Sequence, residues 1–132
     1  MDDELQRIRE QKLKEMEQKL HQKETATVIT VNQAAFHDLL AQHPRFVIDF
    51  WAEWCGPCRM VAPVIEELAA EFAGRVAFGK CNTDHNPRIS SHYGISAIPT
   101  IMLFSHGQMV ERIIGAYPKD AIRSKIIRTF QI

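Results

Sequence analysis

The sequence predicts an α/β fold, in which a central β-sheet has helices on both faces and an antiparallel hairpin at one edge. Strand and helix signals alternate from residue 27 onward in the order βαβαβαββα, which is typical of a sheet covered by helices. A continuous apolar run at residues 45–51 has the length and composition of a buried strand. The chain has 132 residues, 45% of them hydrophobic, which is enough for one such domain with its own core.

The first 24 residues differ in composition from the rest of the chain. They contain seven acidic and six basic side chains and no Gly, Pro or aromatic residue. At 100° per residue, five apolar side chains fall within a stripe about 140° wide, which predicts an amphipathic helix. We therefore divide the chain into a helical extension (residues 1–24) and a domain (residues 25–132). Packing of the stripe on the domain, partner binding and self-association all remain open. The stripe consists of Leu5, Ile8, Leu13, Met16 and Leu20.

The elements of the domain follow from local signals. Residues 27–31 form a short strand, and Asn32 is suited to cap a helix that ends near residue 43. Gly74 is suited to end the long helix that follows the buried strand, because glycine accepts the left-handed conformation common after helices. The elements after the buried strand are a helix at 57–72, a strand at 76–82, a helix at 86–92, a hairpin of strands at 100–104 and 109–114, and a helix at 118–130.

A pair of cysteines, Cys55 and Cys58, stands at the junction between the buried strand and the long helix. A helix that begins at Cys55 directs its free N–H groups and its positive dipole end at this sulfur, which favours the thiolate. Cys55 should be the more exposed sulfur and the attacking one, and Cys58 the more buried, resolving thiol. Gly56 lets a substrate backbone approach, and Pro57 fixes the first helical turn. Two cysteines with this spacing at this position predict a redox motif.

Asp49 lies within the apolar run, where an unpaired charge costs several kcal/mol unless the pKa of the carboxyl rises. It is placed to take a proton from Cys58, and the alternative is a structural ion pair with Lys80 on the next strand. Farther along, Pro99 stands immediately before an apolar strand, where a proline marks a strand start or a tight turn.

The segment from Phe50 to Arg59, with Asp49 before it and Ile98-Pro99-Thr100 farther along, resembles the thioredoxin family over about residues 27–131. The resemblance implies a thioredoxin fold and a protein-disulfide reductase that helps to maintain cell redox homeostasis. It implies disulfide-containing protein substrates and a thioredoxin reductase as electron donor. It implies no bound cofactor besides the redox-active cysteine pair.

The resemblance also assigns roles to residues of this sequence. Cys55 becomes the nucleophile, Cys58 the resolving thiol, Asp49 the buried acid and Lys80 a buried lysine near it. Pro99 becomes a cis-proline, and Pro63 kinks the long helix. An apolar groove that receives protein substrates consists of Trp54, Ile98, Gly115 and Ala116, with Gly56 and Pro57 beside it.

Composition narrows the partners and the location. The charges of sixteen acidic and sixteen basic side chains cancel, so the chain has no net charge. Neither nucleic acid nor an anionic membrane is therefore an expected partner. No apolar stretch approaches the roughly 20 residues that span a bilayer. The charged N-terminus lacks an apolar signal core, which predicts a cytoplasmic location. Three cysteines, an odd number, suit redox chemistry better than a structural disulfide framework.

Three rival interpretations remain. One is a zinc site of the Cys3His type, whose ligands would be Cys55, Cys58, Cys81 and His85. Pro57, between the first two cysteines, is better suited to the start of a helix than to a zinc-binding turn, so no metal is expected. The domain could instead be a binding subunit of a larger assembly that uses the groove and the N-terminal helix. It could also be a disulfide oxidant or isomerase, but those enzymes usually have a histidine between the cysteines, where this chain has Gly-Pro.

Overall fold

A computed structural model describes the backbone of residues 2–25 and 28–132, and the side chains of residues 3–17 and 28–132. The order of elements matches the predicted alternation. In chain order the elements are α1 (Asp2–Thr25), β1 (Ile29–Thr30), α2 (Phe36–Gln42), β2 (Arg45–Trp51), α3 (Gly56–Glu71), β3 (Ala77–Asn82), α4 (Pro87–His92), β4 (Thr100–Ser105), β5 (Gln108–Ile114) and α5 (Lys119–Phe130).

The five strands form one mixed sheet in the order β1-β3-β2-β4-β5. β3 runs parallel to both β1 and β2, whereas β4 is antiparallel to β2 and to β5. The predicted antiparallel hairpin therefore lies at one edge of the sheet. β2 is central, so its carboxyl end, where the cysteine pair follows, is surrounded by neighbouring strands.

Two apolar clusters cover the two faces of the sheet, as predicted. Because side chains alternate along a strand, Val47 faces one way and Phe46 and Ile48 the other. Val47 packs in the cluster that contains Leu68 of α3 and the buried residues of α5. Phe46 and Ile48 pack in the cluster that contains Leu40 of α2 and the buried residue of α4. Asp49 is two residues after Val47 and so shares the α3 face.

Two predicted boundaries near the start of the domain are wrong. Helix α2 begins at Phe36 rather than next to Asn32, and its N-cap, Ala35, makes no side-chain capping bond. The Asn32 Oδ1 atom instead accepts a hydrogen bond of 2.9 Å from the Ala35 N–H. It therefore stabilises a turn before the helix, a common alternative for asparagine. The first strand shortens to Ile29–Thr30, and Thr27 lies outside the described residues. The other domain elements begin and end within one residue of their predicted bounds.

The predicted N-terminal helix is present as α1. The four described members of its apolar stripe are all exposed, with relative exposures from 48% for Ile8 to 61% for Met16. The described part of the stripe therefore does not pack on the domain; the Leu20 side chain lies outside the described residues. The division at residue 24 stays a prediction. Within the described residues, no helix is long and apolar enough to cross a membrane.

Candidate functional site

Cys55 and Cys58 form a disulfide at the amino end of α3, with their Cα atoms 5.3 Å apart. Cys55 is the N-cap residue, and its backbone is extended, as a helix cap requires. The Cys58 N–H donates to the Cys55 Sγ atom over 3.2 Å, and Pro57 occupies the first helical turn. In the reduced protein this N–H and the positive end of the helix would stabilise a thiolate on Cys55.

The expected difference in exposure between the two cysteines is absent. Cys55 is 3% exposed and Cys58 is 2% exposed. The Ile98 carbonyl oxygen lies 3.7 Å from the Cys55 Sγ atom. The residues on either side of Cys55 are open, with Trp54 71% exposed and Gly56 on the surface. Position at the helix cap, rather than exposure, distinguishes the two sulfurs.

The predicted segment around Pro99 lies next to the disulfide. The Ile98–Pro99 peptide bond is cis, as the resemblance implies, and Ile98 is half-buried. The Pro99 carbonyl oxygen accepts a hydrogen bond of 2.9 Å from the Gly115 N–H, which follows β5. This bond holds Gly115, and with it the exposed Ala116, beside the start of β4. The fold thus brings together the two loops to which the sequence assigns the groove.

Asp49 is buried behind the cysteines, as predicted, with 3% of its surface exposed. Its Oδ1 atom has no hydrogen-bond partner in the described part of the protein. Burial raises the pKa of Asp49 to about 7, and the positive charge of Lys80 lowers it only in part. Asp49 and Cys58 line one cavity of about 370 Å³. A carboxyl group with this pKa beside a thiol is suited to exchange a proton near neutral pH.

The expectation that Lys80 is a buried lysine is wrong: Lys80 is exposed. It is the register partner of Asp49 across β2 and β3, so its side chain emerges on the same sheet face and lines the same cavity. Its ammonium group reaches water because long lysine side chains extend toward solvent. Asp49 and Lys80 form no salt bridge in the described part of the protein, and Lys80 lowers the pKa of Asp49 less than burial raises it.

Sequence reasoning missed Asp84, which fixes the exposed Trp54. The Trp54 Nε1–H donates to the Asp84 Oδ2 atom over 2.9 Å. Asp84 is held in a turn after β3, where its N–H donates to the Asn82 Oδ1 atom. The signal for this contact is topological, because β2 and β3 are parallel neighbours and the residues after them meet at one sheet edge. Pro63 lies inside α3 as expected, and the kink it implies stays a prediction.

The structure gives the zinc interpretation no support. Cys81 is fully buried in the cluster on the α2 and α4 face, whereas Cys55 and Cys58 are bonded to each other at the start of α3. The residues that the structure describes contain no group of three His, Cys, Asp or Glu side chains placed for a metal ion.

Comparison with known proteins points to one family. Residues 27–128 match the family model described as thioredoxin. The chain is 47% identical over 97 residues to a thioredoxin of Synechocystis sp., which covers 73% of this chain and 91% of the relative. It is 41% identical over 109 residues to the chloroplastic M-type thioredoxin of Pisum sativum, which covers 81% of this chain and 63% of the relative.

Solved structures agree with the sequence matches. A mutant thioredoxin from Halobacterium salinarum superposes with a TM-score of 0.75 at 32% identity, covering 82% of this chain and 95% of that one. Mitochondrial thioredoxin 3 from Saccharomyces cerevisiae, in its oxidized form, gives a TM-score of 0.70 at 35% identity. That match covers 76% of this chain and 94% of the yeast chain.

Proposed function

This chain belongs to the thioredoxin family and is a protein-disulfide reductase, for which we propose the following residue roles. Each role is a step of dithiol–disulfide exchange. Cys55 is the attacking thiolate and Cys58 the resolving thiol. Asp49 accepts the proton of Cys58, and the positive charge of Lys80 stabilises the ionised carboxylate of Asp49. The loops around Trp54 and Pro99 receive the substrate.

The reaction proceeds in two displacements. The Cys55 thiolate attacks one sulfur of the target disulfide, so a Cys55–target bond forms and the first target thiolate leaves and takes up a proton. Cys58 gives its proton to Asp49 and attacks the Cys55 Sγ atom. The mixed disulfide breaks, the second target thiolate leaves, and the proton is passed on to it. The target disulfide has gained two electrons, and Cys55 and Cys58 are left oxidised to a disulfide.

The hydrogen bond from the Cys58 N–H to the Cys55 Sγ atom, 3.2 Å long, is the observation that supports this order. The donor favours negative charge on Cys55 and leaves Cys58 without equivalent help from the helix end. Cys58 shares its cavity with Asp49 instead. One sulfur is therefore suited to attack first, and the other has a base at hand for the second step.

Trapping of mixed disulfides tests the order. Cys58→Ser should leave the first attack intact and accumulate a covalent complex with a disulfide-containing protein such as insulin, seen on a non-reducing gel and released by dithiothreitol. Cys55→Ser is the matched control and should trap nothing, because Cys58 lacks activation by the helix end. Equal trapping by both variants, or trapping by Cys55→Ser alone, would contradict the proposed roles.

Electron supply and location follow as further proposals. A thioredoxin reductase restores the reduced cysteine pair, and no bound cofactor takes part. A cytoplasmic location is supported by Cys81, which is a free, buried thiol and so suits a reducing compartment. The Pisum sativum relative is chloroplastic, and detection of the tagged full chain in cell fractions distinguishes the cytoplasm from an organelle. Recovery of the chain in the organelle fraction would contradict the proposal.

A further inference from the structure

The largest cavity among those described lies at the end of the sheet opposite the disulfide. Its volume is about 600 Å³. Arg45 and Ala77, the first residues of β2 and β3, line it, whereas Cys55 follows the last residue of β2. The disulfide exchange described above uses no residue of this cavity.

Every ionisable side chain that lines the cavity is basic. The four side chains come from three separate segments. His43, the C-cap of α2, and Arg45, the first residue of β2, belong to one segment; Arg75 lies in the loop before β3, and His106 in the turn between β4 and β5. Two of these segments are joined by a hydrogen bond of 2.8 Å from the His106 N–H to the Pro44 carbonyl oxygen. The whole chain has no net charge, so this convergence is a local concentration of positive charge.

The nearby Glu71 offsets this charge only in part, because Arg75 lowers the pKa of its carboxyl less than Arg123 does. Glu71 is engaged by Arg123, whose Nε and Nη2 atoms donate to the two carboxylate oxygens over 2.7 and 3.0 Å. Arg45 and Arg75 form no salt bridge with any side chain that the structure describes. Both residues are exposed, so their guanidinium groups are accessible to an outside anion.

The end of α3 borders the cavity, and its negative dipole would by itself repel an anion. Hydrogen bonds to the last carbonyl groups of the helix offset this repulsion. The Phe72 carbonyl oxygen accepts from the N–H groups of Arg75 and Val76, and the Glu71 carbonyl oxygen accepts from the Arg75 Nη2 atom over 3.4 Å. Arg75 is also positioned over the Phe72 ring, with 5.0 Å from its guanidinium carbon to the ring centroid. Its side chain is thus placed before any ligand arrives, which lowers the entropy cost of binding.

Apolar side chains form the rest of the lining, among them Ile29, Val76 and Phe78. An apolar surface beside two arginines and two histidines suits a ligand with an apolar body and an anionic head. Guanidinium groups bind phosphate through paired hydrogen bonds. We propose that this cavity is a second binding site, separate from the disulfide, for a small phosphate monoester with an aromatic or aliphatic body.

Nuclear magnetic resonance of the full, ¹⁵N-labelled oxidised chain tests the proposal, with phenyl phosphate as the probe at constant ionic strength. Saturable shifts are expected at the amides of residues 43, 45, 74–77, 106 and 107, with a dissociation constant on the order of 1–10 mM for so small a ligand. Phenol, which has the same ring without the phosphate, should give no saturable shifts there. Shifts spread over the whole surface, or equal binding of phenol, would overturn the proposal.

Two arginine variants, one inside the cavity and one outside it, test whether the cavity itself binds phenyl phosphate. Arg45→Gln should weaken phenyl phosphate binding about fivefold, the effect of losing one exposed charge interaction. Arg128→Gln, which removes an exposed charge from α5 outside the cavity, should change it less than twofold. Arg45 is preferred to Arg75 because Arg75 also packs on Phe72. Reduction of insulin should be the same in both variants, so the result is independent of the disulfide chemistry. Equal weakening by the two variants would show a non-specific charge effect and refute the site.

Discussion

Replacing Asp49 with asparagine should stabilise the protein at alkaline pH while slowing its chemistry. The carboxyl group is 3% exposed, and one of its oxygens has no hydrogen-bond partner among the described residues. Burial raises its pKa from 3.8 to about 7. A difference of about three pKa units, at about 1.4 kcal/mol each, corresponds to roughly 4 kcal/mol that the folded protein loses by ionising this group. That cost is large beside a typical domain stability of about 5–15 kcal/mol.

The pH dependence has a definite sign. Below pH 3.8 Asp49 is protonated in both the folded and the unfolded chain, so it costs nothing. Between pH 3.8 and about 7 the folded chain binds more protons than the unfolded chain, and its stability falls as the pH rises. Above about pH 7 the full cost applies. Asparagine cannot ionise, so Asp49→Asn should gain up to about 4 kcal/mol at pH 8 and almost nothing near pH 4.

Urea unfolding of the oxidised protein at the two pH values measures the gain. Asp38→Asn, a change of the same type at an exposed position on α2, is the control and should shift the free energy of unfolding by less than about 0.5 kcal/mol. The same Asp49→Asn variant should slow resolution of a preformed mixed disulfide by at least about 100-fold at pH 7, because the base for Cys58 is lost. A variant with no pH-dependent gain, or with attack and resolution slowed equally, would refute this account of Asp49.

Two further predictions concern the rest of the chain. Gly79→Ala should destabilise the domain by about 1–3 kcal/mol in urea unfolding, because the added Cβ would lie 2.6 Å from Val31 Cγ2 and 2.9 Å from Phe46 Cε1. Gly56→Ala, which meets no atom within 4 Å, is the control, and equal losses would show that close packing is not the cause. Deletion of residues 1–24 should leave the rate of insulin reduction within about twofold, because the described part of the α1 stripe does not pack on the domain. A large loss of rate would contradict this prediction and show that the N-terminal helix takes part in the reaction.

The order of elements was predictable because each has a strong local signal. The apolar run that forms β2 is an example, and the cysteine pair identified the site. Gly74 was expected to end α3 but lies in the turn after it, because the helix ends at Glu71 with Phe72 as its C-cap. The start of α2 was not predictable in this way, because the Asn32 side chain is suited both to a helix cap and to the turn it forms.

The residues of the site were easier to predict than their surroundings. The place of Asp49 in an apolar run predicted its burial. The low exposure of Cys55 was not predictable, because the Ile98 carbonyl oxygen that lies near its Sγ atom belongs to a segment distant in sequence. Lys80 was expected to be buried, but its long side chain extends to solvent. The bond from Trp54 to Asp84 likewise joins residues 30 positions apart, and only the sheet order brings them together.

The reduction potential of the Cys55–Cys58 pair tests the central claim most directly. The oxidised chain is equilibrated with glutathione buffers of known potential, and the reduced fraction is read from thiol alkylation. A disulfide reductase requires a potential below the glutathione couple, and the value typical of thioredoxins, about −270 mV, is the expected result. A potential near −120 mV, as in strong disulfide oxidants, would contradict the assignment of this chain as a reductase.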